Sequence, residues 1–157
     1  MQRPTTYTVD EAQKAMEIFC AYQERCHYEV RKKLREMRMI PQAIDHILTQ
    51  LIESNYLNEE RFAKAFARGK FRIKHWGKNR ILRELKFREI SKYNIESALK
   101  EIPQQDYLDA LDALAKKKMD SILERSVLKK KKKLVDYLLY RGWEPHLVYD
   151  KVNELMP

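Results

Sequence analysis

Five apolar positions occur three times over in this chain, and that recurrence constrains its fold more than any other feature. Val30, Leu34, Ile44, Leu48 and Leu51 return 51 residues later as Ile81, Leu85, Ile95, Leu99 and Ile102. A further 53 residues brings Leu134, Leu138, Val148, Val152 and Leu155. Pro41 in the first copy matches Pro145 in the third, and proline is favoured at the first position of a helix. Charged residues make up 35% of the chain, so chance would rarely keep all fifteen positions apolar. Each copy reads as three helices, and units this small bury too little surface to stand firmly alone; neighbours therefore stack. Only three glycines and five prolines argue against a sheet-rich fold with its many turns. The expectation is an all-α protein of three tandem three-helix repeats forming an elongated, curved array. A tail occupies 1–9, and the repeats occupy 10–57, 58–103 and 104–157.

Local signals refine this. Thr8-Val9-Asp10-Glu11 has the form of a capping box, and Ala15, Met16, Phe19 and Tyr22 follow at helical spacing. A helix from about Tyr28 to Met37 turns Val30, Leu34 and Met37 inward, and one from Pro41 does so with Ile44, Ile47, Leu48 and Leu51. Asn58 is a good N-cap, with Glu59 and Glu60 in the first turn where the helix dipole favours them. Phe62, Ala65, Phe66, Gly69 and Ile73 are expected inward from that helix, and Ile81, Leu82 and Leu85 from the next. Leu108, Leu111, Leu114 and Ile122 are expected to line the first helix of the third unit. Gly142 suits a left-handed helix end, and Trp143 shares the position of Met39 and Ile90, which marks it as packing.

The charge is local. Arg61 to Arg88 holds eleven Lys and Arg against one acid, Glu84, a balance of +10 in a chain of net +9. Such a field is the footprint of a polyanionic partner, nucleic acid or an acidic protein groove. Arg61, Lys64, Arg68 and Arg72 recur at three- and four-residue steps and form one ridge. Lys74, Lys78, Arg80 and Arg83 continue the basic stretch, and these eight are the candidate binding residues. Lys129 to Lys133 turn about 100° per residue and cannot share one face. Trp76 either stacks on a base or closes the helical bundle, and the second role is the commoner one.

Little points to catalysis. Gly69, Gly77 and Gly142 are too scattered for a phosphate-cradling loop, no Ser occupies a nucleophile elbow, and the carboxylates fall on open helical faces. No metal, cofactor or enzymatic activity is expected. Cys20 and Cys26 make no disulfide framework and read as free thiols. The apolar runs are too short to span a bilayer and the first six residues lack the apolar core of a signal peptide, so a cytoplasmic protein is expected. The final helix looks polar, which favours a monomer.

Tyr56-Leu57-Asn58-Glu59-Glu60-Arg61-Phe62-Ala63 resembles the Tyr-Leu-Asp-Asp-Glu-Arg-Phe-Ala signature of the RecX regulatory proteins. Arg80-Ile81 followed by Glu84-Leu85 resembles that family's second-repeat helix, and Arg141-Gly142-Trp143 its closing corner. The resemblance covers roughly residues 10 to 156. It departs at Cys26, where the family has a Ser cap, at Asn58 for Asp, and at His75-Trp76-Gly77-Lys78 for a Gly-x-Gly-Pro turn. It implies a non-catalytic modulator that binds along the RecA–DNA filament and restrains its ATPase and strand exchange. The implied setting is homologous recombination, DNA repair and the SOS response, with single- or double-stranded DNA met weakly or through the filament. Assigning the eight basic residues to that contact rests on charge and helical phase alone. The rival reading is a free-standing DNA-binding module related to helix-turn-helix domains. Against it, the third helix of the middle unit is nearly neutral and thin in base-reading side chains.

Overall fold

The structure, a computed structural model, describes residues 6–157; the first five residues of the expected tail lie outside the described residues. Among the described residues there are nine helices and no strand. They are α1 (Val9–Tyr22), α2 (His27–Glu36), α3 (Pro41–Glu53), α4 (Glu59–Arg72), α5 (Lys78–Phe87), α6 (Lys92–Leu99), α7 (Gln104–Ser121), α8 (Val127–Tyr140) and α9 (Pro145–Leu155). Substantial helix-to-helix packing falls within the trios α1–α3, α4–α6 and α7–α9. The repeat is therefore built as three-helix units in an all-α array.

The repeated apolar positions form the interior. Thirteen of the fifteen are buried, while Leu99 and Leu155 are partly buried against the same core. Register is fixed at the ends of the second helices. Arg38, Glu89 and Gly142 take left-handed φ values of 62°, 60° and 93°. The amides of the next residues, Met39, Ile90 and Trp143, then reach back to the carbonyls of Leu34, Leu85 and Leu138 at 3.0, 3.1 and 3.2 Å. A left-handed residue followed by such a six-to-one bond is how a helix satisfies its last carbonyls while reversing direction. Ile90 and Trp143 are buried beyond that turn and Met39 is half-buried. At the other ends, Thr8 completes the capping box with Glu11 and the Asn58 carboxamide accepts from the Arg61 amide at 2.9 Å.

Three apolar stripes differ from the expected phase. In α1 the buried residues are Ala12, Met16 and Cys20, and Tyr22 is exposed. In α4 they are Phe62, Ala63, Ala67 and Phe71; Phe66 is half-buried and Ile73 exposed. In α7 they are Tyr107, Leu111 and Ala115, with Leu108 and Leu114 half-buried. The α4 shift has a packing cause. Ala63, Ala67 and, on α6, Ala98 are fully buried, and small side chains at a contact let two helices approach closely.

The core comes in two parts. One lies within α1–α3, around Met16, Leu34, Ile47 and Leu51. The other runs through α4–α9 without a break and takes in Cys26 from the α1–α2 turn. The first trio meets the second across a polar seam. There Glu24 pairs with Arg61 at 2.7 Å, Glu29 with Arg88 at 3.9 Å and Arg31 with Glu89 at 3.8 Å. His27 faces Glu59 at 3.4 Å.

Candidate functional site

The eleven cations from Arg61 to Arg88 divide into those held by the fold and those left to solvent. Arg61 is held: its Nε contacts both Glu24 oxygens at 2.7 and 2.8 Å, and its Nη2 donates to the carbonyls of Asn55 and Tyr56 at 3.1 and 3.3 Å. It clamps the α3–α4 turn to the first trio. Lys64 pairs with Glu60 at 3.1 Å and Glu101 at 3.5 Å; the hydrogen bond to Glu60 raises the lysine and lowers the carboxylate from their ordinary values. Arg88 pairs with Glu84 at 2.8 Å, so the stretch's one acid is already occupied. Among the described residues, Arg68, Lys70, Arg72, Lys74, Lys78, Arg80, Arg83 and Lys86 have no carboxylate within 4.0 Å.

The eight expected binding residues therefore do not act alike. Arg61 and Lys64 are paired with acids inside the fold, and the other six lack acidic partners; Lys70 and Lys86 join them, although helical phase did not select either. Nor do they form one surface. Arg68 and Arg72 sit one turn apart on the α4 ridge. Lys70, two residues beyond Arg68, points about 200° around the helix from it. Arg80 and Arg83 line a groove of about 460 Å³ between α5 and the end of α8, with Glu84, Phe87, Leu139 and Tyr140.

That second surface is built by a corner-to-corner contact that sequence reasoning missed. The Gly77 amide donates to the Arg141 carbonyl and the Asn79 amide to the Gly142 carbonyl, both at 2.9 Å. Arg141 Nη1 donates to the Lys74 carbonyl at 2.6 Å, and the Trp143 indole to the His75 carbonyl at 3.2 Å. A Cβ on Gly77 would lie 2.5 Å from the Gly142 carbonyl carbon and oxygen, so glycine is what lets the two backbones meet. Beneath the corner, the Tyr107 hydroxyl donates to Glu144 and accepts from the Lys78 amide at 2.8 Å. Burial first, and then the hydrogen bond to Glu144, push this phenol well above its ordinary value. Its ring stacks on Trp143 at 4.5 Å.

Over the corner runs a row of alternating cations and rings. Arg88 lies 4.9 Å from the Phe66 ring, and Lys70 lies 5.4 Å from Phe66 and 5.1 Å from Trp76. Arg80 is 4.3 Å from Trp76 and 5.0 Å from Tyr140. Trp76 is half-buried against the core and edge-on to Phe66 at 6.3 Å. It thus closes the bundle, as its commoner role predicts, and also supports Arg80.

Cys20 and Cys26 are free and buried, and burial pushes their thiols up to about 11 and about 12. Cys26 caps α2 without a side-chain bond to the helix amides; its thiol donates to Glu29 instead, at 3.3 Å. Among the described residues no group of three or more His, Cys, Asp or Glu is placed to hold a metal ion, and no helix is long and apolar enough to cross a membrane.

Comparison with known proteins agrees with this architecture. Residues 58–99 match the model of the second three-helix domain of RecX, and residues 105–152 that of the third. Regulatory protein RecX of Bacillus cytotoxicus is 27% identical over 137 residues, which are 87% of this chain and 51% of that protein. Its counterpart from Halalkalibacterium halodurans is 28% identical over 137 residues, 85% of this chain and 52% of that one. The chain thus spans about half the length of these relatives. Among solved structures, RecX from Lactobacillus salivarius superposes with a TM-score of 0.79 at 23% identity, covering 94% of this chain and 96% of that one. A second regulatory protein RecX superposes at 0.83 with 20% identity, covering 93% and 73%. These two likenesses concern the fold.

Proposed function

Because the chain belongs to the RecX family, we propose that it is a non-catalytic regulator of the RecA recombinase, engaging the RecA–DNA filament through the basic residues of its middle three helices. The observation that carries this reading is the set of eight unpartnered cations within one 28-residue stretch. Cations matched to acids inside the fold add little to an outside field, whereas these eight have no carboxylate within the fold to offset their charge toward phosphate or acidic side chains. Their main effects are on encounter rate and salt dependence. On this reading the protein restrains RecA's ATPase and strand exchange in the cytoplasm, as a monomer, in recombination, DNA repair and the SOS response.

The test is RecA-dependent ATP hydrolysis on single-stranded DNA with increasing amounts of this protein. Suppression is expected to weaken in Arg68→Glu/Arg72→Glu and in Arg80→Glu/Arg83→Glu, the two pairs reporting separately on the ridge and the groove. Suppression that survives both reversals moves the contact off the ridge and the groove. No effect on RecA, combined with tight binding to bare duplex and a steep salt slope, replaces the regulator with a free-standing DNA-binding module.

A further inference from the structure

The groove between α5 and α8 pairs exposed rings with unpartnered arginines. Tyr140 is 73% exposed and Phe87 65%, and the two rings share one groove with Arg80 and Arg83. Arg80, held between Trp76 and Tyr140, covers one side of the tyrosine, and the exposure leaves the other side open. Arg83 is exposed beside them, and Glu84, the groove's one carboxylate, is occupied by Arg88. The Arg80 guanidinium lies 5.0 Å from the Tyr140 ring, and a tyrosine ring has few rotatable bonds to order on binding.

We propose that this groove is a base-stacking site for single-stranded DNA. A base lies on the open side of Tyr140 near Phe87, and the flanking phosphates meet Arg80 and Arg83. This deepens the filament reading above and rests on it for the choice of DNA. The chemistry is that of single-strand platforms, where a basic groove tracks the backbone and aromatic rings take successive bases. A duplex keeps its base faces stacked inside, so it offers this site phosphates only. A ring pair without unpartnered cations would suit an apolar peptide equally well. The two arginines, with the local acid neutralised, favour the polyanion.

The experiment uses the full chain without RecA. Fluorescence anisotropy compares a labelled oligothymidylate with an abasic oligonucleotide carrying the same number of phosphates, at matched salt concentrations across a salt series. The thymidylate is expected to bind roughly 5- to 100-fold more tightly, as stacking of a base predicts. Tyr140→Ala is expected to erase most of that preference and Tyr140→Phe to keep it. Arg83→Gln should weaken both ligands alike and reduce the salt slope by about 0.7. Tyr140 is a surface side chain, and an unchanged thermal transition in the variants excludes misfolding. Equal affinity for the two oligonucleotides, or a preference that survives Tyr140→Ala, overturns the site. The outcome separates from the regulatory reading. Base preference without any effect on RecA keeps the site and removes the regulator, and suppression of RecA without base preference does the reverse.

Discussion

Replacing Gly142 by alanine tests the corner that joins the second and third helical trios. Two costs add. At φ 93° an alanine sits in backbone territory that disfavours a Cβ by about 1–2 kcal/mol. The new methyl would also lie 2.8 Å from the Arg80 Cα and closer still to its Cβ, so the corner must part. Parting stretches the bonds from Gly77 to Arg141 and from Asn79 to Gly142, each contributing about 0.5–1.5 kcal/mol. The sum is roughly 2–5 kcal/mol, or a fall in Tm of about 4–20 °C at 2–4 °C per kcal/mol. Gly77→Ala carries the overlap without the φ penalty, since Gly77 has φ −79°, and should cost less. Gly69 supplies the opposite sign: it lies inside α4, a Cβ there meets nothing within 4 Å, and alanine should stabilise by roughly 0.5–1 kcal/mol. Urea denaturation followed by circular dichroism should rank the variants Gly69→Ala, native, Gly77→Ala, Gly142→Ala from most to least stable. A Gly142→Ala protein within 1 kcal/mol of native would falsify the claim that the corner is close-packed.

Two further substitutions probe the interior and the seam. Tyr107→Phe leaves Glu144 without its donor and the Lys78 amide without its acceptor; a loss of about 1–3 kcal/mol in urea denaturation is expected, and a neutral result would show that these groups are satisfied elsewhere. His27 is held below its ordinary value near 6.5, chiefly by burial and further by Arg31, against the opposing pull of Glu59. Folding favours the neutral ring, so its contribution is present above about pH 6.5 and is lost as pH falls toward the lowered value. His27→Gln should therefore lose less stability than native between pH 7.5 and 5.5, and parallel curves would rule the histidine out as the cause.

What was legible in the sequence was whatever repeats or has a strict backbone demand. The second helices end at the same left-handed position in each copy because the apolar register and the reversal of direction recur together. Hence the shared position of Met39, Ile90 and Trp143 marks Trp143 as packing from the sequence alone, and it is buried. The α4 stripe was not legible, because two apolar series interleave on that helix. Phe62, Ala65, Phe66, Gly69 and Ile73 make the more hydrophobic series, yet Ala63, Ala67 and Phe71 face the partner, because closeness to Ala98 decides the phase. Tyr107 was passed over since its value lies in a hydroxyl bridging Glu144 and Lys78, residues that no local pattern connects. The corner was equally hidden. Its halves stand more than sixty residues apart, and only Gly142 carried a signal that could have drawn attention to it.

Counting charge along a stretch assigns to the outside world every cation without a local acid, and here that overstates the binding charge. The acids that answer Arg61, Lys64 and Arg88 come from Glu24, from Glu101 and from Glu29, as well as from the neighbouring Glu60 and Glu84. Distant acids thus turn three of eleven cations into structure. Arg61 and Arg88 in particular hold the first trio against the second across a seam with little shared core. The remaining eight sit on a body whose own halves are joined by buried side chains and backbone contacts, which salt does not screen. Part-exposed ion pairs are screened. Raising ionic strength therefore acts at two places, the outward grip on a polyanion and the hold on the first trio, while leaving the α4–α9 body and its Trp76–Arg80–Tyr140 stack in place. A salt slope measured for polyanion binding contains both effects. Arg61→Ala separates them, because it loosens the seam without touching any of the eight free cations.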